Sequence, residues 1–135
     1  SGIASQSITF DTKKVLNDST IDLFYEKLGP HQVMVYAADP FGNEASSSVF
    51  FQVIATYDSA ISDVNRAFSL GWIKKKALRD QIINDLTTAK KKKKPKQADR
   101  VLTQLLNELK KKQKDLTPQG YLLLTEDIEW VKGHN

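Results

Sequence analysis

The spacing of apolar side chains changes character partway along this chain. Up to Tyr57 it runs with a period of two. In His31 to Asp39, Val33, Val35 and Ala37 fall on one side, and in Ser47 to Ile54, Val49, Phe51 and Val53 do the same, which predicts two strands with one face in a core. Thr20 to Glu26 shows a similar alternation, with Ile21, Leu23 and Tyr25 on one face, and predicts a third strand. Ser7 to Phe10, turning through Asp11 and Thr12 toward Val15, predicts a further strand and hairpin. Leu28-Gly29-Pro30 and Asp39-Pro40-Phe41-Gly42-Asn43 are turns, because proline fixes φ and glycine tolerates positive φ. The expected count is four or five strands.

After Tyr57 the period becomes helical. Asp58 or Ser59 is a candidate cap for a helix carrying Ile61, Val64 and Phe68 that stops at Gly71. A second helix, from Trp72 or Lys74 to Lys91, carries Leu78, Ile82, Leu86 and Ala89. A third, Lys96 to Lys114, carries Ala98, Leu102, Leu105 and Leu109. The fourth has Thr117 as its N-cap and Pro118 at its first position, presents Tyr121, Leu124, Ile128 and Val131, and ends at Gly133. The expected fold is α+β and multidomain: an antiparallel β module over residues 1–56 and a four-helix all-α bundle over 57–135.

Charge follows the same division. Residues 1–57 carry three lysines against six acids, a net of −3, so the remainder carries +7 of the overall +4. Opposite signs suggest modules with different surfaces. The chain has no cysteine, which removes thiol nucleophiles, disulfides and thiolate zinc sites, and its two histidines, His31 and His134, are far apart in sequence. The longest uncharged stretch, Ala45 to Tyr57, is too short and too polar to span a bilayer. No phosphate-binding loop, nucleophile elbow or H-E-x-x-H is present. The expectation is a chain that is not an enzyme and needs no cofactor.

Two resemblances sharpen the division. Ile8-Thr9-Phe10, Thr20 to Leu23, and Leu28-Gly29-Pro30-His31 through Asp39 to Ala45, ending at Val49 to Val53, resemble the second half of a bacterial immunoglobulin-like domain. An "LGxHxVxVxAxDxxGNxA" stretch joins the last two strands of that family, and two further strands precede the segment matched by Ser1 to Ser5. The resemblance therefore implies a partial immunoglobulin-like β-sandwich, truncated at its N-terminus, with an open strand edge. Gly71-Trp72-Ile73, Leu78, Ala89, Ala98, Val101 to Leu109 and Leu116-Thr117 resemble the FIMAH helical domain. That family is an accessory module of secreted bacterial hydrolases and other surface proteins, often directly after an immunoglobulin-like domain.

Together these imply a non-catalytic spacer and docking segment of a larger secreted or cell-surface bacterial protein, a polysaccharide-acting hydrolase. The implied partners are the catalytic module of the same polypeptide and a polysaccharide or cell-wall polymer. Two other classes compete. One is a polyanion-binding module, for nucleic acid or anionic wall polymer, using Lys90, Lys91, Lys92, Lys93, Lys94 and Lys96; the bland use of this run is a solvated tether. The other is an interaction module that accepts a strand, or a second copy of itself, at an open sheet edge. Phe41 and Trp130 are the candidate platforms for a sugar ring, set against ordinary packing. Asp39, Asn43 and Glu44 bring oxygen ligands around one turn, a weak calcium candidate set against ordinary turn chemistry. Glu126, Asp127 and Glu129 read as a solvated helix face.

Overall fold

A computed structural model describes residues 5–134. Ser1 to Ala4, the start of the immunoglobulin-like resemblance, lie outside the described residues. The chain is α+β and divides into two compact units, one ending at Val53 and one beginning at Ile54. No helix is long and apolar enough to cross a membrane among the described residues.

The first unit holds one antiparallel sheet of four strands: β1 (Ser5–Phe10), β2 (Lys13–Val15), β3 (Gly29–Ala38) and β4 (Glu44–Val53), in the order β2-β1-β3-β4. Phe10 pairs with Lys13, so the β1–β2 loop is only Asp11 and Thr12, at φ of 48° and 72°. Two-residue hairpins favour positive φ at both positions because that matches the strand twist. For Thr12 the conformation is costly. The β3–β4 turn uses Gly42 at φ 85°, with the Asp39 carboxylate accepting from the Phe41 and Asn43 amides. The register puts Ile8, Phe10, His31, Val33, Val35, Val49 and Phe51 on one face. Thr9, Gln32, Met34, Tyr36, Ser48 and Phe50 take the other.

The strand expected over Thr20 to Glu26 is absent. Asp22 instead accepts a hydrogen bond from the Phe24 amide and starts a short 3-10 turn, Leu23–Tyr25. The expected phase inverts with it: Phe24 is buried while Leu23 and Tyr25 are exposed. A local side-chain bond to the backbone has outcompeted a weak alternation.

The second unit holds α1 (Tyr57–Ser69), α2 (Lys76–Lys90), α3 (Pro95–Lys111) and α4 (Pro118–Gly133). Thr56, rather than the expected Asp58 or Ser59, caps α1, in a reciprocal box with Ser59. Gly71, at φ 79°, lets the chain turn after α1, where a Cβ would be strained. Thr117 caps α4 by accepting from the Gly120 amide, with Pro118 in the first turn, as the sequence predicts.

α2 packs against α1 and α3, and α4 against α1 and α3. The core is Val64, Ile82, Leu86, Leu102, Leu105, Leu109, Leu124 and Ile128, each almost fully buried. The loop before α2 is sewn to the loop before α4 by Lys74 N–H to the Asp115 carbonyl and Thr117 N–H to the Trp72 carbonyl, both 2.9 Å. Gly120 is required by that approach, since a Cβ there would lie 2.8 Å from the Trp72 carbonyl oxygen.

Candidate functional site

Three groups of polar side chains stand out, and the sequence pointed to only one of them. The first surrounds His31, at the start of β3. The hairpin turn aims Asp11 at it, and the ring's Nδ1 lies 2.5 Å from Asp11 Oδ2. Its Nε2 lies 2.5 Å from the Lys27 carbonyl oxygen. The other oxygen of Asp11 accepts from the Gln32 amide at 2.8 Å. His31 is buried and stacks between Phe10 and Phe51, with centroid distances of 5.4 and 5.7 Å.

Both ring nitrogens face acceptors, an arrangement that favours the doubly protonated ring. Its pKa is raised, first by the Lys27 carbonyl and then by Asp11, against the opposing cost of burial. Asp11 is held below the usual carboxylate range, chiefly by the Gln32 amide and then by His31. Beside them is a recess of about 370 Å³ lined by Phe10, Asp11, Lys13, Tyr25, Glu26, Lys27 and His31.

Asp11, Glu26 and His31 have ligand atoms within 4.8 Å of one another, close enough to hold a cation. A metal needs a free ring lone pair, however, and each ring nitrogen already lies against an acceptor, Asp11 Oδ2 or the Lys27 carbonyl oxygen. The group is better suited to clasping three segments: the β1–β2 turn, the stretch before β3 and β3 itself. Sequence reasoning dismissed His31 because no second histidine was near. The signal that could have found the clasp is Asp11 in a two-residue hairpin whose partner strand begins with a histidine.

The second group is the pair Asp63 and Asp127, on α1 and α4. Asp127 is only 3% exposed, which overturns the expectation that Glu126, Asp127 and Glu129 form a solvated face. Position 127 sits one residue before buried Ile128 and three after buried Leu124, so it shares their inward stripe. Burial pushes its carboxyl up to about 9, helped by its hydrogen bond with Asp63 and by the negative charges of Asp63 and Glu126. It is neutral at pH 7 and donates its proton toward Asp63. Its Oδ2 is buried without a hydrogen-bond partner.

The third group is the lysines, and the three runs do not share one surface. α2 and α3 are antiparallel neighbours, which puts Lys74, Lys75 and Lys76 beside Lys110, Lys111, Lys112 and Lys114 at one end of the pair. Lys90 to Lys94 and Lys96 lie at the other, about 20 Å away along a helix of this length. The two ends differ in pairing. At the first, Lys75 meets Asp115 at 3.5 Å, Lys76 meets Asp80 at 3.1 Å, and Lys111 and Lys112 share Glu108 at 3.9 and 3.8 Å. At the second, Lys90 reaches Asp58 at 2.6 Å, while Lys91, Lys92, Lys93, Lys94 and Lys96 are exposed without an acidic partner among the described residues.

The remaining candidates fall separately. Phe41 is 83% exposed at the tip of the β3–β4 turn. Trp130 is half-buried, and the ring of His134 covers it at 4.2 Å and 9° from parallel, so one of its faces is occupied. Asp39 spends its carboxylate on the Phe41 and Asn43 amides and on Asn43 Nδ2 at 2.8 Å, which also holds its pKa below the usual range. Glu44 binds the Tyr36 hydroxyl across the strands. That is turn and cross-strand chemistry, with Glu44 drawn away from Asp39 and Asn43. No family model, curated protein or solved structure matches this chain.

Proposed function

We propose that this chain is a non-catalytic accessory and docking segment of a larger secreted or cell-surface bacterial protein that acts on polysaccharide. In this reading the sheet is one layer of an immunoglobulin-like sandwich and the helices form a FIMAH-like bundle. The observation that carries it is the state of the sheet. Its apolar face, with Ile8, Val33, Val35 and Phe51 half-buried and Val49 60% exposed, has the alternation of an inner face without a second layer to match. The histidine cluster adds support, because His31 and Asp11 are each committed to holding the fold.

Such a segment acts by keeping its parent near the wall or substrate, raising effective concentration without touching the chemistry. Deleting residues 5–134 from the parent leaves turnover of a soluble substrate unchanged and lowers turnover of the insoluble polymer several-fold. Equal loss on both contradicts the proposal.

A second reading is favoured by β4. It is an edge strand of ten residues whose only charge is Glu44, with Val49 and Phe50 exposed, whereas the opposite edge, β2, is three residues long and carries Lys13 and Lys14. Short, lysine-bearing edges resist pairing and long uncharged ones invite it. β4 therefore accepts a strand, from a partner or a second copy. Light scattering across a concentration series reads this directly, and a Ser48→Pro variant abolishes the association. A monomer at all concentrations rules out the second copy.

A further inference from the structure

We propose that the connection between α2 and α3 binds a linear anionic polysaccharide through Lys92, Lys93, Lys94 and Lys96. The inference does not depend on how the sheet is read. Structure accounts for the first two lysines of the run. Lys90 lies in the last turn of α2 and pairs with Asp58, and Lys91 is the C-cap of that helix, where a cation suits the dipole.

It does not account for the next four. Lys94 is the N-cap of α3 and gives no side-chain cap, the first turn of α3 contains no acid, and Lys96 is in that turn. Four cations thus gather where the helix dipole is already positive, none of them in an ion pair with a carboxylate among the described residues, and repel one another. The other end of the same helix pair has a comparable number of lysines and pairs most of them. A sequence that breaks local electrostatic rules at one place and obeys them at another marks the first as a place where something outside the fold supplies the negative charge.

The side chains indicate what that is. Residues 90–97 are all exposed and include no aromatic to stack a base, which disfavours nucleic acid. They include no apolar side chain except Pro95, so nothing there would insert into a lipid surface. Lysine ammonium groups are point charges on flexible stems, suited to a chain of regularly spaced anions whose orientation is loose. A uronate-bearing glycan offers that.

The test is fluorescence anisotropy of the full chain with labelled polygalacturonate. Affinity is expected to weaken about fiftyfold between 50 and 200 mM salt, the dependence for about four contacts on a flexible polyanion. The combined variant Lys92→Gln, Lys93→Gln, Lys94→Gln and Lys96→Gln should lose at least about thirtyfold at the lower salt. Removing four lysines from the opposite end (Lys74, Lys75, Lys76 and Lys111, each to Gln) should change affinity by no more than about threefold, as only general charge is lost. The first variant's thermal midpoint should equal or exceed that of the wild type, because the replaced charges oppose the helix. Equal losses in both variants, no binding by the wild type, a lowered thermal midpoint in the first variant, or tighter binding of single-stranded DNA of the same length would each overturn the proposal.

Discussion

The two units bury their apolar side chains to very different degrees. The largest fully buried side chains, Ile73, Ile82, Leu86, Leu102, Leu105, Leu109, Leu124, Ile128 and Val64, all belong to the helical unit. Among the described residues of the sheet unit the buried apolar ones are Phe10, Phe24 and Val53, while Leu16, Leu23, Tyr25, Met34, Val49 and Phe50 are exposed. Four amphipathic helices can spend their stripes on one another, whereas a single sheet has two faces and can cover neither by itself. The lesson is that regular secondary structure and a finished core are separate achievements. The sheet has ten-residue strands in good register and still lacks a hydrophobic interior of its own.

The sharpest way to test this difference is to remove the same kind of group from each unit. Leu105 is fully buried, so Leu105→Ala should cost about 2–5 kcal/mol of helical-unit stability, read from denaturant unfolding followed by helical circular dichroism. A loss below about 1 kcal/mol would mean that the helices are loosely packed.

The next largest effect concerns acidity. Asp127 has a folded-state pKa raised above its unfolded value, so the folded state holds a proton that the unfolded state releases. Stability of the helical unit should therefore fall as pH rises between about 4 and 9, by up to about 1.4 kcal/mol per pH unit. Asparagine donates to Asp63 without needing a proton. Asp127→Asn should flatten this dependence, so that the variant's advantage over the wild type is absent near pH 4 and grows steadily toward pH 8. Parallel pH curves for the two proteins would show that Asp127 is not protonated in the fold.

The sheet should respond within a different window. The raised pKa of His31 means that its contribution is complete below the unfolded value of about 6.5 and is lost as pH rises through the folded one. The lowered pKa of Asp11 means the reverse on the acid side, where stability is lost as pH falls below about 4. NMR titration of the His31 ring should find its midpoint above the ordinary value of about 6.5, and Asp11→Asn should bring that midpoint down. A midpoint unaffected by that substitution breaks the clasp. The smallest effect should come from Val49→Ala, which removes a side chain already in water. Sheet stability should shift by less than about 0.5 kcal/mol, and a larger loss would mean that this face is covered in solution.

Much of this was legible in the sequence, for reasons that differ by element. The change of period near Tyr57, the α4 cap at Thr117 and Pro118, and the turn at Asp39 to Asn43 depend on contacts a few residues apart, which spacing records directly. Thr20 to Glu26 misled because Asp22 bonds to the Phe24 amide, a choice that alternation does not encode. The clasp joins Asp11, Lys27 and His31, and the carboxyl pair joins helices at opposite ends of their unit. Only the register of β1 on β3, and the packing of α1 on α4, bring those residues together. The lysine runs were visible at once, yet which of them are neutralised depended on the antiparallel return of α3 along α2.

The central claim is that the helical unit completes its own core and the sheet does not. Residue-resolved hydrogen exchange on the full chain tests it most directly, comparing amides in the middle of α3, such as Leu105, with those of the central strand β3, such as Val33 and Val35. The account predicts that the β3 amides exchange at least about a hundredfold faster, through openings that leave the helices intact. Equal protection in both units would contradict it.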